Sequence, residues 1–408
     1  MTSPARVPSA PGTSTQPARP PGLSRGLTLL FAITAAAAVG NLYWAQPLLA
    51  IIGDDFSVPA GTTGLIVTVT QIGYAVGVFL LVPLGDTVDR RRVIPGLMLL
   101  TAVFLLATAA APGYPVLLGT LALIGFSAVA GQLVIPLAGD LARDDQRGQV
   151  LGTVSAGIMI GLLVARALSG VVAEHLGWRA VFVMAAVLMV ALAVVLAPRI
   201  PRLEPRERVP YGQLLLSVLR TVTGSRTARA TMIVGASAMC VFTMFWTGVT
   251  FLLSSPPFDY SVSLIGAVSL VGVFGALAAQ RVGTLYDRGL FVPALGAGLV
   301  VTVAGLVISG FGASSVVVLL AGAVVFGVGL QTVLILAQTR MLSLDPSARS
   351  RLNTAFVGGN FIGGAIGSAL AGLFWQRGGW VPVTAAAALV VGVALVTWLV
   401  SRRGALAG

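Results

Sequence analysis

Twelve stretches of this chain stay apolar for about 20 residues, the length a helix needs to cross a bilayer. They lie near 27–52, 62–84, 93–111, 115–138, 150–174 and 179–198, then near 230–254, 263–284, 291–310, 315–339, 351–375 and 381–401. Lipid offers a backbone no hydrogen bonds, so runs of this kind are held to α-helix. The fold class predicted is an all-α membrane protein with twelve transmembrane helices. Composition agrees: 57% of the 408 residues are hydrophobic and 9% charged, where a soluble domain carries about a quarter charged. One long connection, residues 199–229, divides the spans into a half at 27–198 and a half at 230–401. It is arginine-rich, and an amphipathic stretch near 211–222 is expected at the membrane surface. Residues 1–26, rich in Pro, Ser and Thr, read as a disordered tail with no apolar signal-peptide core. Residues 402–408 form a short second tail.

The basic residues set the orientation. All 25 are arginine, and 22 fall on one side of the predicted spans. Only Arg179 and Arg377 fall on the other, and Arg166 lies inside a span. The positive-inside rule then places both termini and the central connection in the cytoplasm. Topology therefore explains the net charge of +12, and nucleic acid is not an expected partner. The arginine-only, Ala/Gly/Val-rich composition suggests a bacterial chain, hence a multi-pass protein of the inner membrane. One cysteine, Cys240, and one histidine, His175, leave no disulfide, no zinc-ligand pattern and no convincing nucleophile–base set. No P-loop is present. Neither a metal, nor a cofactor, nor an enzyme activity is expected.

An internal repeat appears at an offset of 202. Trp44 meets Trp246, and Gly177-Trp178 meets Gly379-Trp380. Gly64, Gly73, Gly125, Gly157, Gly161 and Gly170 meet Gly266, Gly275, Gly327, Gly359, Gly363 and Gly372. Glycine coincidences are weak in a glycine-rich chain; two tryptophan matches in one frame are not. Parallel six-helix repeats are the layout of one class of secondary transporter, with the substrate site between the halves near midplane.

The loops after spans 2 and 8 read "PLGDTVDRRR" (83–92) and "GTLYDRG" (283–289). In these the chain resembles the major facilitator superfamily, whose corresponding loops carry a G-x-L-x-D-R-x-G-R-R-like motif. Leu84, Asp86, Arg90 and Arg91 fit the first copy; Gly283, Leu285, Asp287 and Arg288 fit the second. The resemblance covers about 27–401. It implies two pseudo-symmetric halves and a gating role for Asp86, Arg90, Arg91, Asp287 and Arg288. Asp86 would latch onto the neighbouring end of span 11, unless the arginines serve topology alone. Spans 1, 2 and 5 look most like the twelve-helix drug:proton antiporter branch and its efflux-type relatives. The chain departs from that branch in two places: no proline follows Gly161, and Leu121 stands near the usual arginine of span 4.

Polar groups inside spans are costly and mark function. No carboxylate sits deep in any span, so proton carriers are sought in Asp54, Asp55 or Asp86. The spans do hold amides: Asn41 and Gln46 in span 1, Gln71 in span 2, Gln132 in span 4, Gln331 in span 10 and Asn360 in span 11. Each either binds substrate or joins helices. Tyr43, Trp44 and Trp246 offer flat faces to a ring or a cation, or else pack. Arg166 lies about two-thirds of the way along span 5. Three readings stay open for it: reaching the outer headgroups, pairing with Asp54, Asp55 or the span 1 amides, or contacting an anionic or carbonyl group of a substrate.

The function expected is export of a small organic molecule by alternating access, coupled to protons as the resemblance implies. Import or uniport of a metabolite is the alternative, and a non-transporting receptor or assembly factor a lesser one. Lipid and the small-molecule substrate are the expected partners, with a monomer as the working unit.

Overall fold

The computed structural model describes residues 22–201, 210–345 and 348–406. Among these residues the chain is helical throughout, with no strand. The first half comprises α1 (Arg25–Gly40), α2 (Leu49–Asp55), α3 (Ala60–Thr87), α4 (Arg90–Ala109), α5 (Tyr114–Ser127), α6 (Ala130–Leu141), α7 (Arg147–Leu176) and α8 (Trp178–Leu196). A connecting helix follows, α9 (Tyr211–Thr223). The second half comprises α10 (Arg226–Leu253), α11 (Val262–Val268), α12 (Gly272–Asp287), α13 (Phe291–Gly310), α14 (Val316–Ser343), α15 (Arg349–Gly378) and α16 (Trp380–Ser401). Ten helical segments among the described residues are long and apolar enough to cross a membrane. The stretches α1–α2 and α11–α12 are the interrupted equivalents of two more.

Local chemistry starts and stops these helices. Side chains of Ser24, Asp89, Ser225 and Ser261 accept from the first-turn amides of Leu27, Arg91, Ala228 and Leu264, as N-caps do. Gly177 and Gly379, at φ +82° and +72°, turn the chain between α7 and α8 and between α15 and α16. A side chain would be strained at either place.

Three predicted spans are broken, which their apolar composition did not reveal. Span 1 unwinds from Asn41 and re-forms through a short 3-10 turn, Gln46–Leu48, into α2. Pro47 opens that turn and has no amide hydrogen to continue a helix. Span 4 breaks at Ala128–Val129, and span 8 passes through a 3-10 turn at Ser269–Val271. Irregular backbone at membrane depth is tolerated only where protein or a cavity surrounds it.

Each half has its own hydrophobic core, one around Phe31, Ile66 and Phe182, the other around Phe245, Phe326 and Trp380. Between the halves the contacts run through small residues, and they repeat with the sequence frame. A Cβ on Gly64 would sit 3.0 Å from the Ser368 carbonyl; its repeat mate Gly266 would meet the Arg166 carbonyl at 2.6 Å. Gly372 would meet the Gly61 carbonyl at 2.1 Å, and Gly170 the Val262 carbonyl at 2.5 Å. Thus α3 lies on α15 as α11 lies on α7. These approaches all lie toward the face opposite the chain termini. Nearer the termini the same α3–α15 seam is looser, with Ala75 O 3.9 Å from a Cβ on Gly358.

Helix α9 packs against α3, α10 and α15, and so touches both halves. It buries Leu214 and Val218 and leaves Leu216 and Leu219 exposed. The Tyr211 hydroxyl donates to the Leu80 carbonyl.

Candidate functional site

The break in span 1 lies against the middle of α7. Gly40 faces Ala165, and the Ser169 hydroxyl donates to the Trp44 carbonyl at 2.9 Å. This packing lays Tyr43 over Arg166. The Arg166 guanidinium carbon is 5.0 Å from the Tyr43 ring centroid, 5.4 Å from Phe242 and 5.0 Å from Trp246. Phe242 and Trp246 stand one turn apart on α10, so the cation is enclosed by rings from both halves.

Arg166 is 2% exposed, and its Nε, Nη1 and Nη2 have no hydrogen-bond partner among the described residues. Each desolvated ring face contributes about 2 kcal/mol to a cation. Ring faces do not accept the in-plane N–H bonds of a guanidinium, and burying an ion still costs several kcal/mol. The rings therefore offset part of the burial cost and leave the N–H hydrogen bonds unmade. Burial disposes of the headgroup reading. Pairing with Asp55 is corrected as well: that carboxylate accepts from Arg179 at 2.7 Å and from the Trp178 indole at 3.2 Å. Asp54 is exposed at the end of α2.

The amides separate into two groups. Asn41, Gln46, Gln71 and Asn360 are buried, and each keeps one polar side-chain atom unpartnered: Nδ2, Oε1, Oε1 and Oδ1 respectively. Asn41 is held by the Trp44 indole, which donates to its Oδ1 at 2.9 Å. Gln71 donates to Thr243 across the halves at 3.2 Å, while its Oε1 lies over Gly364, one turn beyond Asn360 on α15. Gln132 instead donates to the Tyr74 hydroxyl at 3.1 Å, within its own half. Gln331 packs its chain on Gly275 where α12 crosses α14. These last two act as helix-to-helix contacts in this arrangement. Phe242 was missed by the sequence reading; its i, i+4 relation to Trp246 was the available signal.

The expected gating residues lie near the termini. Arg90 is buried, its Nε donating to the Gly85 carbonyl at 2.8 Å and its Nη1 to Asp140 at 3.0 Å. It therefore ties the start of α4 to the last turns of α3 and α6 in the same half. The Arg91 amide is capped by Asp89. Asp287 and Arg288 are exposed, and neither forms an ion pair among the described residues. The side chain of Asp86, the expected latch to span 11, lies outside the described residues.

Two predictions arise here. Arg90→Ala is expected to cost about 1.5–3 kcal/mol, the range for hydrogen bonds to a charged group. Exposed Arg92→Ala should stay within about 0.5 kcal/mol. Parallel unfolding curves check the contrast, and equal losses would contradict it. Arg179, then burial opposing it, sets the Asp55 carboxyl below its ordinary value. A depressed acid stabilises above its unfolded pKa, and that contribution disappears as pH falls through the folded value. Since both partners are well exposed, the contribution is small. Asp55→Asn should leave stability at neutral pH nearly unchanged and flatten its acid limb, as read by thermal unfolding against pH.

The arrangement is a set of buried polar side chains where two helical halves meet, beside seams of small residues. Polar groups buried between two helical halves of membrane-length helices are the construction of a membrane transporter. The Major Facilitator Superfamily model matches residues 29–344. The chain is 38% identical over 376 residues to "Uncharacterized transporter YgaY" of Escherichia coli, covering 92% of this chain and 95% of that one. It is 32% identical over 394 residues to "Probable transporter SCO4007" of Streptomyces coelicolor, covering 94% and 91%. Among solved structures, a bacterial homolog to the human lysosomal transporter Spinster, inward-facing and unoccupied, superposes with a TM-score of 0.76 at 14% identity. That match covers 93% of this chain and 96% of the other. This chain belongs to the Major Facilitator Superfamily.

Proposed function

We propose that this transporter exports a small organic molecule across the bacterial inner membrane by alternating access, its halves 27–198 and 230–401 rocking about the Arg166 cleft. The observation that carries the reading is the set of unpartnered buried polar atoms on Asn41, Gln46, Gln71, Arg166 and Asn360. Buried polar groups cost free energy unless something satisfies them, and a solute in the cleft would do so. With the arginine-rich face in the cytoplasm, the tight seams at Gly61–Gly372 and Gly170–Val262 lie on the outer side. The conformation described is then inward-facing.

Proton antiport is the coupling that the resemblance of spans 1, 2 and 5 to the drug:proton antiporter branch implies. A second reading, uniport or exchange without protons, is favoured by one observation: none of the described carboxylates makes an ion pair with Arg166. Purified protein in liposomes, preloaded with a solute panel, tests both. Saturable counterflow supports transport, and a pH-sensitive dye inside the vesicles reports whether protons move with it. No counterflow for any solute class would overturn the proposal.

A further inference from the structure

We infer that the substrate is a small organic carboxylate on a flat apolar body, and that Arg166 is the residue that holds its carboxylate. The inference rests on reading the cleft as the transport site. Tyr43, Phe242 and Trp246 cover the guanidinium with ring faces at 5.0 to 5.4 Å. They leave its N–H edges without an acceptor: Nε, Nη1 and Nη2 are all unpartnered among the described residues. Those edges form a planar fork of donors that matches the two oxygens of a carboxylate. An amine or other cation would be repelled, and a neutral ring would leave the fork unsatisfied.

The repeat argues that the charge is not part of the scaffold. Arg166 corresponds to Ser368. Both positions make the same backbone approach to the opposite half, Arg166 O toward Gly266 and Ser368 O toward Gly64. Ser368 adds a hydrogen bond from its hydroxyl to the Gly64 carbonyl at 2.8 Å. The seam is thus built equally well on a small neutral residue. The arginine is an addition on one side only, and its head leaves the seam to lie among Tyr43, Phe242 and Trp246.

The rest of the cleft gives the remaining chemistry. The rings around Arg166 suit a flat, apolar body next to the carboxylate. Gln46 Oε1, Gln71 Oε1 and Asn360 Oδ1 are unpartnered acceptors, the last two resting on Gly364 and Gly235 in this conformation and freed only as the helices part. They suit a hydroxyl or N–H donor elsewhere on the same molecule. Asn41 Nδ2 offers one further donor from the unwound segment that also supplies Tyr43.

The test uses the full chain in detergent and ring compounds that differ only in their head group: benzoate, benzamide and benzylamine, then indole-3-acetate, indole-3-acetamide and tryptamine. Equilibrium dialysis gives each affinity, and thermal unfolding confirms that every variant is folded. The acids should bind at least about tenfold tighter than their amides and amines, a difference of about 1.4 kcal/mol. Arg166→Gln should erase that preference, Arg166→Lys should keep part of it, and exposed Arg92→Gln should keep it all. Wild-type protein that binds the amides or amines as well as the acids overturns the inference, whatever the variants do. An acid preference that survives in folded Arg166→Gln overturns it too, because another group is then the anchor. Counterflow of amines in liposomes would sink the substrate class and leave transport standing. Tight acid binding with no counterflow of any solute would leave the anchor standing and overturn the transport reading.

Discussion

Arg166→Met is expected to raise the stability of the folded protein while abolishing its transport. The wild-type residue brings a charge into a site where no described group accepts its N–H bonds. Methionine fills a similar elongated volume and packs against the same three rings. Exchanging buried ion pairs or triads for well-packed apolar residues ranges from neutral to about 1–4 kcal/mol stabilising, and an ion with no counter-charge has no pair attraction to lose. The lost cation–ring attraction opposes this, so the expected gain lies toward the lower end. Thermal unfolding of the two proteins, read beside liposome counterflow, decides the matter. If Arg166 were scaffold, the variant would be less stable and any loss of transport would follow from misfolding. A stability gain with transport intact would equally remove Arg166 from the mechanism.

The second large effect separates two kinds of glycine. Gly73 lies inside the first half, where a Cβ would stand 2.0 Å from the Ala122 carbonyl. Gly372 lies between halves, 2.1 Å from the Gly61 carbonyl by the same measure. Ordinary contact is about 3.5 Å, so a side chain at either place must move backbone by more than about 1 Å. At Gly73 nothing can yield except the fold of the half, and Gly73→Val should destabilise by about 1–3 kcal/mol or more. At Gly372 the halves can part instead. Gly372→Val should fold normally and hold the seam open on the face away from the termini. A thiol at the α11 start, Ser263→Cys, reports this through its rate of labelling by an impermeant maleimide. Faster labelling with unchanged stability fits the assignment. Unchanged labelling, or unfolding as severe as that of Gly73→Val, contradicts it.

Much of this architecture was legible because the bilayer restricts what an apolar run can do. Length alone gave the helices, and the 202-residue frame anticipated which glycines make equivalent contacts: Gly73 on span 4 and Gly275 on span 10, Gly64 on Ser368 and Gly266 on Arg166. The interruptions were not legible. Residues 128–129 and 269–271 carry no proline and remain apolar or small, so nothing in their composition marks a break. Pro47 was a signal for the first break and went unused. For the site, polarity inside an apolar run drew attention to Arg166 and the amides. Polarity could not say which amides would be consumed by neighbours, as Gln132 is by Tyr74, because that depends on helix rotation. Nor could it find Phe242, one of 17 phenylalanines, whose part comes only from where α10 turns its face. The expected Asp55 partner failed for a simpler reason. Trp178 and Arg179, at the start of α8, reach that carboxylate first.

The two seams meet through main-chain carbonyls and glycine, while the groups proposed to meet the solute are side-chain atoms of Asn41, Gln46, Gln71 and Arg166. On the proposed reading, motion is carried by main chain and recognition by side chains, and at Arg166 the two share one residue. On that reading a side-chain substitution can retarget the cleft and leave the backbone contacts of the seams in place, so a lineage can exchange its cargo without inventing a new machine. Among related chains, variation should gather at the cleft residues and spare the glycine frame, so divergence in cargo would be visible as a local change on a constant chassis.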